Sequence, residues 1–472
     1  MSEDRVRQCV VHHFQKIVPR LASAGSCDPA WKDLGSLGLR SLDWLVLREG
    51  IFQGLGLRFD MRALFAAPRL DALVSHLLAL RSAKPARSVD NAVPVLPCAT
   101  KTLAADIAAG AVAVAGAVAA AAAGTTCGQA EQVVEVQHGA HVDPSVALTG
   151  PTKVGRFAVV EAGTTIGSGV TIGANAYVGA GAVLGPGCHV GPFARVVGPR
   201  GVLGEGCVVE SHASVGPDVF LGPNCRVAHG ASLEGNIVLG EKCEVGAQTT
   251  MRGPIVAGVG TSFFPHCTIG TATRHLGATI HGRIEIGSNC VVEAHCNIFH
   301  PTGQKTSSGE VLENVTRLGN RVYVMPYSNI GHDVIVEDGA EVAANLAGYV
   351  RVMRGAKVAN ACALHQFTTI GTCAFIAMGT ACRHDVLPFC VLLNEKCTLD
   401  RVGLFKSGKT PDEADQLDDF YARVCSGTGA ATLRRIDALP REWYAEEITR
   451  FFALREAMRD CRPLAAYTRE IV

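Results

Sequence analysis

The stretch Lys153–Val196, KVGRFAVVEAGTTIGSGVTIGANAYVGAGAVLGPGCHVGPFARV, places an aliphatic residue at every sixth position: Val154, Val160, Ile166, Ile172, Val178, Leu184, Val190 and Val196. One extra residue near Gly198 shifts the frame. Leu203, Val209, Val215, Leu221, Val227, Leu233, Leu239 and Val245 then resume it. A spacing of six fits neither the helical period of 3.6 nor the strand period of two. It is the signature of stacked hexapeptide repeats, in which each repeat gives one short strand with its aliphatic side chain turned into a prism. The expected fold is a left-handed parallel β-helix. The 52 glycines and the 6% of aromatic residues suit a narrow, tightly turned coil.

The formal net charge is zero, which removes electrostatic support for a nucleic-acid partner. The chain has no positively charged start followed by an apolar core and cleavage site, so a cytoplasmic location is expected. Four of the 18 cysteines, Cys188, Cys207, Cys225 and Cys243, recur at three-hexad steps, each two residues before an aliphatic position. No paired CxxC accompanies them, so they read as small core residues rather than as metal ligands.

Four regions follow from the pattern. Residues 1–82 lack hexads and read as short helices. Residues 83–140 are rich in Ala, Pro, Ser and Thr and read as a linker. Within them Leu103–Gly124 carries Asp106 as its one charge, but its Ala and Gly content gives little drive for stable membrane insertion. Residues 141–398 carry the β-helix, and residues 399–472 read as a helical domain. Two breaks in the rhythm, Thr271–Arg283 and Phe299–Arg317, mark expelled loops, where binding sites are commonly built.

Among the 16 histidines, His332 lies two residues after the inward Ile330 and directly before Asp333. A carboxylate beside an imidazole can orient it as a general base, although a Gly-His-Asp run is also ordinary turn chemistry.

Wider text surrounds that dyad. The runs Phe264-Pro265-His266-Cys267-Thr268-Ile269-Gly270, Ile284-Glu285-Ile286-Gly287, Ile330-Gly331-His332-Asp333, Leu346-Ala347-Gly348, Ala363-Leu364-His365-Gln366-Phe367-Thr368-Thr369-Ile370-Gly371, Asp385-Val386-Leu387-Pro388-Phe389 and Phe420-Tyr421-Ala422-Arg423-Val424-Cys425-Ser426-Gly427 occur in order. Together they resemble the UDP-N-acetylglucosamine acyltransferase family of lipid A biosynthesis. The resemblance implies His332 as catalytic base, Asp333 as its orienting carboxylate, and Gly348 as a backbone N–H near the thioester oxygen. His365 and Gln366 would line the same cleft, which the family forms between the subunits of a homotrimer. The departures are Asn329, where the family has a second histidine, and Tyr349, which replaces the histidine after Leu-Ala-Gly. Two residues are missing between Val342 and Leu346, and the loop around His275 lacks the Asp and Lys that hold the family's sugar nucleotide.

The front of the chain carries a separate resemblance. Leu37-Gly38-Leu39-Arg40-Ser41-Leu42-Asp43 and Leu64-Phe65-Ala66-Ala67-Pro68-Arg69-Leu70-Asp71-Ala72-Leu73 resemble an acyl or peptidyl carrier domain. Ser41 falls on the serine that a phosphopantetheinyl transferase modifies with 4′-phosphopantetheine, and Arg40 departs from the Asp or His usual before it. The two resemblances together imply an acyltransferase that takes its acyl thioester from its own or a separate carrier. A small-molecule hydroxyl or amine, of a nucleotide sugar or a specialised metabolite, would receive the group. Two other readings remain: a non-catalytic trimeric scaffold presenting carrier arms, and a γ-class carbonic anhydrase-like zinc enzyme using His332, His365 and His384.

Overall fold

The computed structural model describes residues 8, 10–12, 74, 134–148, 150–272, 282–302, 315–425, 442–457 and 462–468. The chain divides into two compact units, Met1–Pro94 and Val95–Val472. In the first, Val10 and Val74 are buried among the described residues. The carrier-like motif, Ser41 and the Ala-rich run all lie outside the described residues.

The second unit is a parallel β-helix of about 13 turns, the mainly β make-up expected of left-handed hexapeptide coils. Its strands are two to eight residues long, starting at Glu135–Val136, and pair in parallel with the strand one coil away, except Lys396–Leu399, which pairs antiparallel with Cys390–Leu393. The hexad aliphatics stack in three columns. One runs Val154, Ile172, Val190, Val209, Val227, Val245, Phe263, Val292, Val324. A second runs through Met251, Ile269, Ile298, Ile330, Leu346 and Leu364. The third runs through Leu203, Leu221, Leu239, Ala257, Ile286, Leu318, Val336, Val352 and Ile370. Nearly all these side chains are fully buried, so the period-six pattern is the core itself.

A second inward position lies two residues before each aliphatic, and only small or compact residues fill it. Cys188, Cys207, Cys225 and Cys243 occupy it on successive coils, each at most 1% exposed. Each thiol donates to a glycine carbonyl one coil along, at Gly204, Gly222, Gly240 and Gly258, over 3.0–3.1 Å. Thr261 continues the row by donating to Gly287, and Cys290 by donating to Gly319. Burial pushes the Cys290 thiol up to about 11, which keeps it the S–H donor that this contact needs.

The extra residue is absorbed at Gly198–Arg200, and the register between neighbouring coils lengthens from 18 to 19 there, as Val196 opposite Val215 shows. A Cβ on Gly198 would stand 1.8 Å from the Ala180 carbonyl oxygen, so the backbone passes there only because the residue is glycine. The two residues missing after Val342 have the opposite effect. Glu341–Leu346 runs as one continuous six-residue strand across what is a corner in other coils, and its register shifts between Val342 and Ala344.

Among the described residues three helices follow: α1 (Arg401–Lys406), α2 (Pro411–Cys425) and α3 (Ala445–Ala457). Asp400 caps α1 by accepting from the Gly403 N–H at 2.8 Å. The Thr410-Pro-Asp-Glu413 start of α2 is a reciprocal capping box: Thr410 N–H donates to Glu413 at 2.8 Å and Glu413 N–H to Thr410 Oγ1 at 3.2 Å. Tyr421, fully buried, donates to the Pro388 carbonyl and fastens α2 to the last coil. Beyond the helices, residues 462–468 are extended, and Leu464 and Tyr467 bridge in parallel to Asp385 and Cys397. An exposed end of a coil stack offers unpaired backbone groups, and this segment takes them up.

Candidate active site

His332 and Asp333 stand at the corner that follows the second aliphatic column. On the next two coils that corner is occupied by Gly348-Tyr349 and Gln366-Phe367, because Ile330, Leu346 and Leu364 are stacked in register. Asp333, Tyr349 and Phe367 all adopt positive φ, at 57°, 64° and 64°. Each corner residue in this conformation bends the chain sharply and leaves its predecessor's side chain on the outer edge.

His332 Nδ1 meets Asp333 Oδ2 at 2.9 Å, and both side chains are largely buried. An Nδ1–H bonded to the carboxylate leaves the Nε2 lone pair as the base. The carboxylate is itself held. Asp333 Oδ2 accepts from the Thr302 N–H at 3.0 Å and from Thr302 Oγ1 at 2.6 Å. Thr302 Oγ1 also meets the Tyr349 hydroxyl at 2.8 Å, and the Asp333 N–H donates to Thr316 Oγ1 at 3.0 Å. The Tyr349 ring stands edge-on to His332, with centroids 5.1 Å apart, and stacks flat on Phe367 at 4.7 Å. Tyr349 thus completes a chain of contacts from Asp333 through Thr302 to the imidazole.

Gly348 faces the same ring. A Cβ there would lie 2.2 Å from His332 Cε1 and 2.4 Å from Nε2. The absent side chain is what gives the imidazole its place.

Asn329 sits in a ladder of amides on successive coils. Asn297 Nδ2 donates to Asn329 Oδ1 at 2.8 Å, and Asn329 Nδ2 to Asn345 Oδ1 at 2.5 Å. Both ends of its amide are engaged, which makes it part of the outer wall beside the dyad. His365 and Gln366 are two coils beyond His332, and their contacts run to the C-terminal segment. Arg462 Nη2 lies 2.6 Å from His365 Nδ1, and Arg462 Nε donates to the Gln366 carbonyl at 2.8 Å. His275 lies outside the described residues. Residues 273–281 and 303–314 lie outside them as well.

Among the described residues no three His, Cys, Asp or Glu side chains form a group that could hold a metal ion. Among the described residues no helix is long and apolar enough to cross a membrane. Thr302, Arg462 and the Asp385–Arg455 pair were not evident from sequence. Thr302 sits inside a span that reads as loop, and the other three have partners 70 or more residues away.

Residues 163–198 match the bacterial transferase hexapeptide (six repeats) family. The chain is 30% identical over 147 residues to an acyl-(acyl-carrier-protein)–UDP-N-acetylglucosamine O-acyltransferase of Alkalilimnicola ehrlichii, covering 30% of this chain and 54% of that protein. It is 26% identical over 175 residues to the protein of the same name from Gloeothece citriformis, covering 35% and 60%. The chain therefore spans little more than half the length of these relatives. A solved UDP-N-acetylglucosamine acyltransferase from Bacteroides fragilis aligns at 21% identity with a TM-score of 0.46, over 53% of this chain and 97% of that one.

Proposed function

We propose that this chain is an acyltransferase with His332 as general base. It takes an acyl group from a phosphopantetheine thioester on a carrier protein and passes it to a hydroxyl or amine of a small-molecule acceptor. The observation that carries the reading is the His332–Asp333 dyad. Its imidazole is pressed against a glycine and its carboxylate is fixed by two hydrogen bonds from Thr302. A base oriented so completely suits removal of a proton from an attacking oxygen or nitrogen. The names of the relatives support the same reaction class, with an acyl-carrier donor and a UDP-sugar acceptor.

In the reaction the acceptor O–H or N–H loses its proton to His332 Nε2 as its lone pair attacks the thioester carbonyl. The tetrahedral intermediate then collapses, the C–S bond breaks, and the pantetheine sulfur leaves as a thiol, taking up the proton. A backbone N–H such as that of Gly348 suits the oxyanion that develops. The acceptor is a nucleotide sugar or a related specialised metabolite, and the assembly is a homotrimer in the cytoplasm. The carrier is the chain's own N-terminal region, loaded on Ser41 by a phosphopantetheinyl transferase, or a separate protein. Tethering the donor by a linker raises its local concentration to the order of millimolar.

The test is single-turnover loss of acyl group from a loaded carrier, with a panel of nucleotide-sugar and amine acceptors. His332→Ala should slow transfer by roughly two to four orders of magnitude while leaving assembly and melting intact. Transfer by His332→Ala at the wild-type rate would dismiss this mechanism and favour the scaffold.

A further inference from the structure

The C-terminal segment reaches the candidate site by a route that the site's own motifs do not contain. Arg455 of α3 donates to the buried carboxylate of Asp385 at 2.7 Å and to the Arg462 carbonyl at 2.7 Å. Asp385 is fully buried, and its other oxygen accepts from the Thr369 N–H at 2.7 Å. Its backbone pairs with the tail in both directions: the Asp385 N–H donates to Pro463 and the Ala465 N–H to Asp385. The tail is therefore fixed on both sides of its first turn. From that anchor the Arg462 guanidinium spans two adjacent residues of one corner, His365 through Nδ1 and Gln366 through its carbonyl.

A guanidinium carries donors only and has no acceptor. The His365 nitrogen that it meets must then accept, and the ring proton goes to Nε2. A histidine whose Nδ1 was protonated would turn a donor on a donor at 2.6 Å. We propose that Arg462 is a positioning residue that locks His365 as an Nε2–H donor at the rim of the site, while His332 is held in the opposite sense with Nε2 as acceptor. The two imidazoles of the two motifs are thereby assigned opposite work. His332 takes a proton, and His365 offers one hydrogen bond to an oxygen of the acceptor. The tautomer rests on the 2.6 Å Arg462 contact, much shorter than the 3.4 Å from the same nitrogen to the Gln366 carbonyl oxygen, and its use on the acceptor rests on the acyltransferase reading.

The test uses the full-length protein with nitrogen-15-labelled histidine, His365→Ala identifying the signal. Long-range proton–nitrogen correlation spectra distinguish the two neutral tautomers. The wild type should show His365 as the Nε2–H form alone. Arg462→Met, which keeps an unbranched apolar stem but no donor, should give a mixture of both forms. Arg462→Lys should fall between, because a point charge meets one of the two acceptors and not both. Wild-type His365 carrying its proton on Nδ1, or an Arg462→Met spectrum unchanged from wild type, would overturn the assignment. In the transfer assay Arg462→Met and His365→Ala should each raise the acceptor KM about tenfold with kcat nearly unchanged, the worth of one charge-assisted or well-placed hydrogen bond. The double variant should be no worse than either single one, and multiplication of the two effects would show that they act separately. If no form of the protein transfers acyl groups, the activity reading falls while the spectra still decide the role of Arg462.

Discussion

Adding one methyl group at Gly348 is a direct trial of the site's geometry. The new Cβ would stand 2.2 Å from His332 Cε1, 2.4 Å from Nε2 and 2.8 Å from Nδ1. Ordinary contact begins at 3.4 Å, so the closest approach is short by about 1.2 Å. The glycine cannot yield easily, because the Tyr349 N–H beside it donates to the His332 carbonyl and the Gly348 carbonyl accepts from Phe367. The imidazole must move instead, away from Gly348. A shift of about 1 Å breaks the alignment between Nε2 and the attacking atom, and displacements of that size cost roughly a hundredfold in rate. Gly348→Ala should therefore lower the single-turnover rate about a hundredfold. The coil should still form, because Leu346 and Val350, which flank the corner, keep their places in the core. A crystal structure of the variant should show the ring displaced and its 2.9 Å contact with Asp333 lengthened. A variant that transfers as fast as wild type, with the imidazole unmoved, would refute the claim that the missing side chain sets the position of the base.

Other outcomes follow from the same structure. Burial raises the Asp385 carboxyl to about 6, the Arg455 charge opposing but not cancelling it. A carboxyl whose folded pKa lies above its unfolded one contributes stability that is full below about pH 4 and lost as pH rises through 6, so this group should destabilise the folded chain by on the order of 3 kcal/mol over that window. Denaturant melts of wild type and Asp385→Asn across pH 4–8 should show that difference, and parallel pH profiles would contradict it. Light scattering at micromolar concentration should give the mass of three chains, and a clean monomer would remove the cleft between subunits. Incubation with a phosphopantetheinyl transferase should add the mass of one arm to the wild-type chain and nothing to Ser41→Ala; an unmodified wild type would make a separate carrier the donor.

The prism could be read from the sequence because its core is strictly local in period. Val154 through Val245 declare their inward direction without reference to any distant residue, and the cysteine row declares the second inward position in the same way. The shortened coil after Val342 was also evident, as a count of missing residues, though not the straight Glu341–Leu346 strand that results. His332 and Asp333 were readable as neighbours. Thr302, which holds Asp333 across 31 residues, was not, since nothing in Pro301-Thr302-Gly303 marks it off from loop text. Arg462 escaped for a related reason. Its partners lie 96 and 97 residues earlier, and an extended tail returning to the last coil leaves no periodic trace.

The tail that brings Arg462 to its corner also decides what the end of the molecule can do. Cys390–Leu393 and Lys396–Leu399 fold back as an antiparallel pair, and residues 464 and 467 lie alongside. In a solenoid every coil is a template for the next, and a bare terminal coil invites a second molecule to continue the stack. Here Lys396–Leu399 runs antiparallel across that template, in the wrong direction for copying, and the tail covers it. Growth end to end into a filament is opposed at this face by the same tail that carries Arg462 to His365.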